Sequence, residues 1–329
     1  METGKLNWDK LTEIIKNNKG AKREEVLESG AVGEDCAAFK LSKNESIVIT
    51  TDPVTAADED IGKIAFHINI NDIATSGGSP FAIMVTILAP KGTSIDAIKE
   101  IMKDISGEAE KIDVEILGGH TEVTDSVNKV IVSITALGLV ESSKDIIWTK
   151  DAMPGDKIIV TKDICLEGTS ILCKDFKEES LNVLNLKELE YGASFGEEIS
   201  VLKEGTLLKG MATSMHDITE GGILGALWEV KEASGNGFLI KFEKIPIRET
   251  TLKLSEHFNI DPLRFISSGS MIITVKEENA EKAIKILKDN NIKGTVIGEI
   301  KEKGAFMIQD DIKLSIDPPL RDEIYKLYK

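Results

Sequence analysis

The chain has 329 residues, 41% of them hydrophobic, with 40 basic and 56 acidic side chains and a formal charge of −16. That length suits one large or two ordinary domains, and acid spread along the whole chain leaves no basic surface for polymeric nucleic acid. Three cysteines without a CxxC pair, and only four histidines, speak against a thiolate zinc site and fit a reducing, cytoplasmic compartment.

Residues 1–10 are polar and lack the apolar core of a signal peptide. No apolar run is long enough to predict a membrane span. Residues 6–18 carry Leu11, Ile14 and Ile15 at helical spacing, and Gly20 follows as a stop. Residues 30–33 read as loop and 37–41 as a short strand. Residues 47–51 make a better strand, β-branched throughout. After an acidic loop over 56–60, apolar residues at 61, 64, 65, 68, 70, 73 and 74 predict a helix with a broad buried face. A strand over 81–89 ends at Pro90. The helix predicted over 94–111 has Ser94 as its cap. Strands over 114–117 and 130–140 follow, and the second is long enough to need a partner or a cover if it lies at an open edge.

This mixture predicts a first α/β or α+β domain over 1–150 and a second over 151–329. Met153-Pro154-Gly155-Asp156 is turn chemistry, and residues 158–161 restart a strand. Helices are predicted over 190–209, 222–233, 248–258 and 279–290, with strands over 238–242, 270–275 and 295–300. Residues 177–186 read as a connector. Ile324, Tyr325, Leu327 and Tyr328 suggest a short terminal helix docked on the second domain. No low-complexity linker divides the halves, so the domains should pack closely.

Asp72 stands alone in the apolar, small-residue stretch Ile68-Asn69-Ile70-Asn71-Asp72-Ile73-Ala74. A carboxylate in that setting needs a partner, because burying a bare charge is costly. Asp35 lies in Gly33-Glu34-Asp35-Cys36-Ala37-Ala38, and Asp52 ends the apolar run over 47–51. Ile116-Leu117-Gly118-Gly119-His120-Thr121-Glu122 closes another apolar run in what reads as a polar, glycine-containing turn. Four polar tips on four apolar elements suggest one shared site. Oxygen ligands favour Mg²⁺, which commonly accompanies a nucleotide. Gly118 and Gly119 would let backbone N–H groups approach a phosphate. Plainer readings exist for each: Asp35 as a turn residue, Asp52 as a pre-proline cap, His120 as a core histidine, Asp217 as the cap of the helix beginning at Gly222. Cys36, Cys165 and Cys173 read as small buried hydrophobes.

Taken in order, Gly33-Glu34-Asp35-Cys36-Ala37-Ala38, Thr51-Asp52, Asn71-Asp72-Ile73-Ala74 with Gly77-Gly78-Ser79-Pro80, Gly118-Gly119-His120-Thr121, Pro154-Gly155-Asp156 and His216-Asp217-Ile218-Thr219-Glu220-Gly221-Gly222 resemble the motif series of the aminoimidazole ribonucleotide synthetase (PurM-like) superfamily. The resemblance spans nearly the whole chain. It implies a two-domain PurM-like α/β (α+β) fold, in which a mixed-sheet amino-terminal domain binds ATP and Mg²⁺ and dimerises, followed by an α/β carboxy-terminal domain. It implies an ATP-dependent enzyme with a small-molecule substrate, working as a homodimer. It assigns Asp35, Asp52 and Asp72 to the metal, and Asp72 and His120 to catalysis. Gly33, Asn71, Gly118, Gly119, Thr121 and Asp217 join the three acids around the nucleotide.

Within the superfamily the chain is most similar to the hydrogenase-maturation dehydratases, on the stretch from Asp217 to Gly237 and on Ile245-Pro246-Ile247-Arg248-Glu249. That branch implies phosphorylation of an amide or carbonyl oxygen and a carbamoyl-transfer maturation partner. Two departures stand out. His120 occupies a position that is acidic in several relatives, with Glu122 as a candidate substitute. No cysteine follows Cys173, so the thiol-tethered reaction of that branch is not expected here. A small-molecule kinase like thiamine-monophosphate kinase is the alternative enzyme, and a non-catalytic nucleotide-binding regulatory protein the alternative of another class.

Overall fold

The computed structural model describes residues 8–17, 21–28, 33–42, 44–55, 57–319 and 321–327. The first sheet joins β1 (Val26–Glu28), β2 (Ala37–Lys40), β3 (Ser46–Val54), β4 (Ser79–Pro90), β5 (Glu115–Thr124) and β6 (Ile131–Val140) in the order β1-β2-β3-β6-β4-β5. Only β4 and β5 run parallel in it. Helices α1 (Trp8–Asn17), α2 (Ile61–Thr75) and α3 (Ile95–Lys111) accompany this half. Ser94 caps α3 as expected, its hydroxyl accepting from the Ala97 N–H.

The second sheet joins β7 (Lys157–Thr161), β8 (Ala212–Asp217), β9 (Gly237–Lys241), β10 (Met271–Val275), β11 (Gly294–Lys301), β12 (Ala305–Gln309) and β13 (Ile312–Ser315) in the order β13-β12-β9-β11-β7-β10-β8. Around it lie α4 (Leu166–Asp175), α5 (Lys177–Ser180), α6 (Leu186–Ala193), α7 (Leu202–Leu208), α8 (Gly222–Ser234), α9 (Glu249–His257) and α10 (Ala280–Asp289).

Helix α2 explains how the halves meet. Its apolar residues lie on more than one side, and a helix that is apolar nearly all round must be buried nearly all round. One side packs on β3 and β6, another on α3, and a third on α7 and β8 of the second half. Polar contacts reinforce the junction. Lys63 pairs with Glu197 at 2.8 Å, Lys174 pairs with Asp60, and the Asp175 carboxylate accepts the N–H groups of Asp58 and Glu59.

Several expectations need correction. The helix predicted over 190–209 is three pieces: α6, a 3-10 turn over Ser194–Glu198, and α7. The interruption is specified from outside. The buried Asn71 side chain donates to the Ile199 carbonyl at 2.9 Å and accepts from the Val201 N–H at 2.8 Å, occupying backbone groups that a continuous helix would use itself. The connector over 177–186 contains α5. Strands β1, β8, β12 and β13 had no counterpart in the sequence reading. The long β6 is not an edge; it lies between β3 and β4, while β1 and β5 form the edges. The terminal helix is a 3-10 turn over Glu323–Lys326 with Ile324 fully buried. Gly20, residues 30–32, Ala56 and Tyr328 lie outside the described residues.

Candidate active site

Three acids converge between the two halves. Asp72 is on α2, Asp217 ends β8, and Asp35 lies in the loop before β2. One carboxylate oxygen from each lies within 4.8 Å of the others. Asp72 is 4% exposed and Asp217 2%. Burial drives the Asp72 pKa well above the usual carboxylate range, and the charges of Asp217, Asp52 and Asp35 push it further. The Thr50 hydroxyl, donating to Asp72 Oδ2 at 2.6 Å, works the other way. Oxygen donors crowded in this way suit a hard divalent cation, which would relieve their mutual repulsion. The donor set of Asp35, Asp72 and Asp217 therefore fits a cation such as Mg²⁺.

The Asp35 carboxylate is further engaged. Oδ2 lies 2.7 Å from the Thr75 hydroxyl, and Oδ1 lies 2.6 Å from His216 Nδ1. His216 Nε2 in turn lies 2.8 Å from Glu229 Oε2. The ring is buried, which works against its charged form. The two carboxylates, Asp35 first, outweigh burial and hold its pKa well above the usual histidine range. The Cys36 thiol donates to the Asp72 carbonyl at 3.2 Å, and burial pushes its pKa well up.

The remaining expected site residues are distributed differently. Asp52 shares the inward face of β3 with Thr50, but it is exposed at the margin and lies outside the close group of three. It stands near enough for its charge to raise the Asp72 pKa, so it borders the group that it was expected to complete. Asn71 is a structural clamp on residues 199 and 201, with both ends of its amide occupied. Gly33 is a close-approach glycine: its φ is 88°, and a Cβ there would stand 2.7 Å from the Glu229 carbonyl on α8. Asp217 does not cap α8, because the cap position is Gly221, a residue without a side chain.

The expected turn at Gly118 and Gly119 is instead the middle of β5. Gly119 has φ 154°, and a Cβ there would fall 1.7 Å from the Val85 carbonyl. A bulge between Ile83 and Met84 sets the register beyond it, so that His120 faces Thr86 and Glu122 faces Leu88. That is the outward face of the sheet. His120 is exposed there, 3.2 Å from Glu122. Within one chain Gly118, Gly119, His120 and Thr121 do not join the acids.

His216 and Glu229 were missed as site residues. Glu229 satisfies the criterion that singled out Asp72, a lone acid in an apolar run, here Leu224-Gly225-Ala226-Leu227-Trp228-Glu229-Val230. His216 adjoins Asp217 within a stretch already noted. No helix among the described residues is long and apolar enough to cross a membrane.

Comparison with known proteins bears on this arrangement. Residues 33–140 match the model of the AIR synthase related protein N-terminal domain, and residues 153–311 that of its C-terminal domain. A protein of Methanocaldococcus jannaschii described as a hydrogenase expression/formation protein is 29% identical, covering 98% of this chain and 96% of the relative. The carbamoyl dehydratase HypE of Cupriavidus necator is 24% identical, covering 84% and 79%. The crystal structure of hydrogenase maturation protein HypE in complex with ATP shares the fold, with a TM-score of 0.73, 19% identity, and 87% of this chain and 89% of that one covered.

Proposed function

This chain belongs to the AIR synthase related protein family, and we propose that it is a HypE-like, ATP-dependent enzyme that phosphorylates an amide or carbonyl oxygen of a small substrate. The buried meeting of Asp35, Asp72 and Asp217 carries the reading. Phosphoryl transfer needs mainly positioning and neutralisation of charge. Mg²⁺, when bound, would supply the neutralising charge at the phosphate oxygens. Asp35, Asp72 and Asp217 would hold it, with Thr50 orienting the Asp72 carboxylate. A division of labour near residue 150 is part of the reading. The first sheet ends at Val140 and the second begins at Lys157, so each half would supply part of the ligand set.

The likeness to carbamoyl dehydratases supports a carbamoyl-type amide as the substrate and a carbamoyl-transfer maturation protein as the partner that delivers it. Cys36, Cys165 and Cys173 are all buried. Burial raises the pKa of each thiol, that of Cys173 to about 12, and the thiolate is the nucleophile. A substrate that is free, or carried by the partner, therefore suits this chain better than one tethered to these cysteines.

The test is ligand-dependent stability. A ligand that binds only the folded state stabilises it by about 2.7 kcal/mol at a hundredfold excess over Kd, so Mg-ATP should raise the melting temperature. Asp72→Asn removes a costly buried charge, and it should fold at least as stably as the unmodified chain while losing most of the Mg-ATP response. A full response in the variant would remove Asp72 from the metal site. ATP consumption that rises on adding carbamoyl phosphate with the donor partner, or a small amide, checks the reaction itself.

A further inference from the structure

We infer that His216, braced by Glu229, is the positioning residue that holds Asp35 in its ligand position across the junction between the two halves. The inference rests on the metal reading above and adds two residues to it.

The three acids are not equally well held. Asp72 is fixed by α2 and Asp217 by β8, where its neighbour in β10 is Met271. Asp35 precedes β2 and is part of no helix or strand, and ligands on loops are placed less sharply than ligands on regular elements. Much of what holds the Asp35 loop comes from residues that follow β6 in the chain, although the Thr75 hydroxyl on α2 also meets Asp35 Oδ2 at 2.7 Å. Gly33 lies against the Glu229 backbone with no room for a side chain. The Glu34 carboxylate accepts the N–H groups of Thr149 at 3.0 Å and Lys150 at 2.9 Å. The Asp35 carboxylate itself meets His216 Nδ1 at 2.6 Å. Of the contacts made by residues beyond β6, the last acts on the carboxylate that would face a metal, at the oxygen that Thr75 leaves free.

Glu229 fixes the ring that makes this contact. Ionised carboxylates only accept hydrogen bonds, so a ring bonded to one at each nitrogen donates from both. Its plane and orientation are thereby set from two sides. Groups that orient metal ligands in this way are commonly worth 10–100-fold in metal affinity.

The geometry separates two variants. In asparagine the amide nitrogen reaches the position of Nδ1, the atom that meets Asp35. In glutamine it reaches the position of Nε2, the atom that meets Glu229. Mn²⁺ uptake by the whole protein can be followed by loss of the free-ion electron paramagnetic resonance signal. Backbone hydrogen exchange of residues 33–36, measured without metal, reports on the loop. His216→Asn should keep most of the Mn²⁺ affinity and the slow exchange of the loop. His216→Gln should lose about 10–100-fold in affinity and exchange faster at 33–36. A merely structural histidine would lower the melting temperature in both variants and leave the Mn²⁺ affinity of the folded protein unchanged. That result overturns the inference, and so does equal or tighter binding by His216→Gln. If the unmodified protein takes up no Mn²⁺, the metal reading fails and the inference falls with it. If it binds Mn²⁺ and both variants match it, the inference alone fails.

Discussion

Single residues at the junction carry unlike burdens. Asn71 and Asp72 are neighbours on α2 and both buried, yet one is saturated by backbone groups and the other is crowded by like charges. Their substitutions should therefore act in opposite ways on the unliganded protein. Asp72→Asn relieves repulsion, whereas Asn71→Ala strips partners from the Ile199 carbonyl and the Val201 N–H. Leaving a buried polar group unsatisfied costs about 1–3 kcal/mol, so Asn71→Ala should lower the urea-unfolding free energy by at least that amount. An unchanged midpoint would mean that residues 199–201 are held by other contacts. His216 and Glu229 belong to this scale too, because they act on the site through one carboxylate.

At the scale of elements, β5 and α3 contain glycines of opposite consequence. Gly119 in β5 combines a φ that other residues rarely adopt with the Val85 carbonyl where a Cβ would go. Gly119→Ala should cost at least about 1–3 kcal/mol, the range for such backbone strain, and loosen β5 from β4. Gly107 is exposed within α3 with nothing near its missing Cβ. Gly107→Ala should stabilise by about 0.5–1 kcal/mol, because alanine loses less entropy in a helix. Chemical denaturation of the pair gives both signs, and a stabilising Gly119→Ala would contradict the reading of β5.

The terminal 3-10 turn makes a pH-dependent element. The Asp322 carboxylate accepts N–H groups from Gly221, Ile266 and Ile324, but burial outweighs these bonds and pushes its pKa up from 3.8 to about 7. Between those values the folded chain keeps a proton that the unfolded chain has lost. The contribution of Asp322 to stability therefore declines as pH rises through that window. Asp322→Asn should gain on the unmodified protein as pH rises from about 4 to about 7. A difference in unfolding midpoint that stays constant with pH would show that Asp322 does not titrate there.

For the whole molecule, the outward face of the first sheet points to self-association. Met84 is 49% exposed, and the register sets Ile49, Leu88, Leu137 and Leu139 on the same face, only partly covered. Apolar side chains left partly exposed on a sheet face are candidates for an interaction surface, and pairing two copies through this one would make the homodimer that the family resemblance implies. Light scattering at micromolar concentration should return twice the chain mass of 35.9 kDa. Met84→Asp should shift the population toward single chains. A 35.9 kDa particle for the unmodified protein would count against pairing through this face.

Much of this was legible locally. Hydrophobic period and cap chemistry sufficed for α2, α3, α8, α9 and α10, and for most strands of the first sheet, because these elements are specified by neighbours three or four residues away, or two in a strand. Asp35 and Asp72 were legible too, as lone acids, and Asp217 as part of an ordered motif series. The failures share one cause, which is dependence on distant partners. The break at residues 199–201 is made by Asn71. The outward direction of His120 follows from a register shift at Leu117 of β5, and a shift of one residue moves a side chain to the other face. Sequence placed Asp52 with Asp35 and Asp72, whereas the fold brought Asp217, with His216 and Glu229 behind Asp35. The amino-acid sequence by itself determined which elements form and which carboxylates need compensation. Only the tertiary structure decided which groups compensate them, because the contacts that lower the cost of a buried charge join residues far apart in the chain.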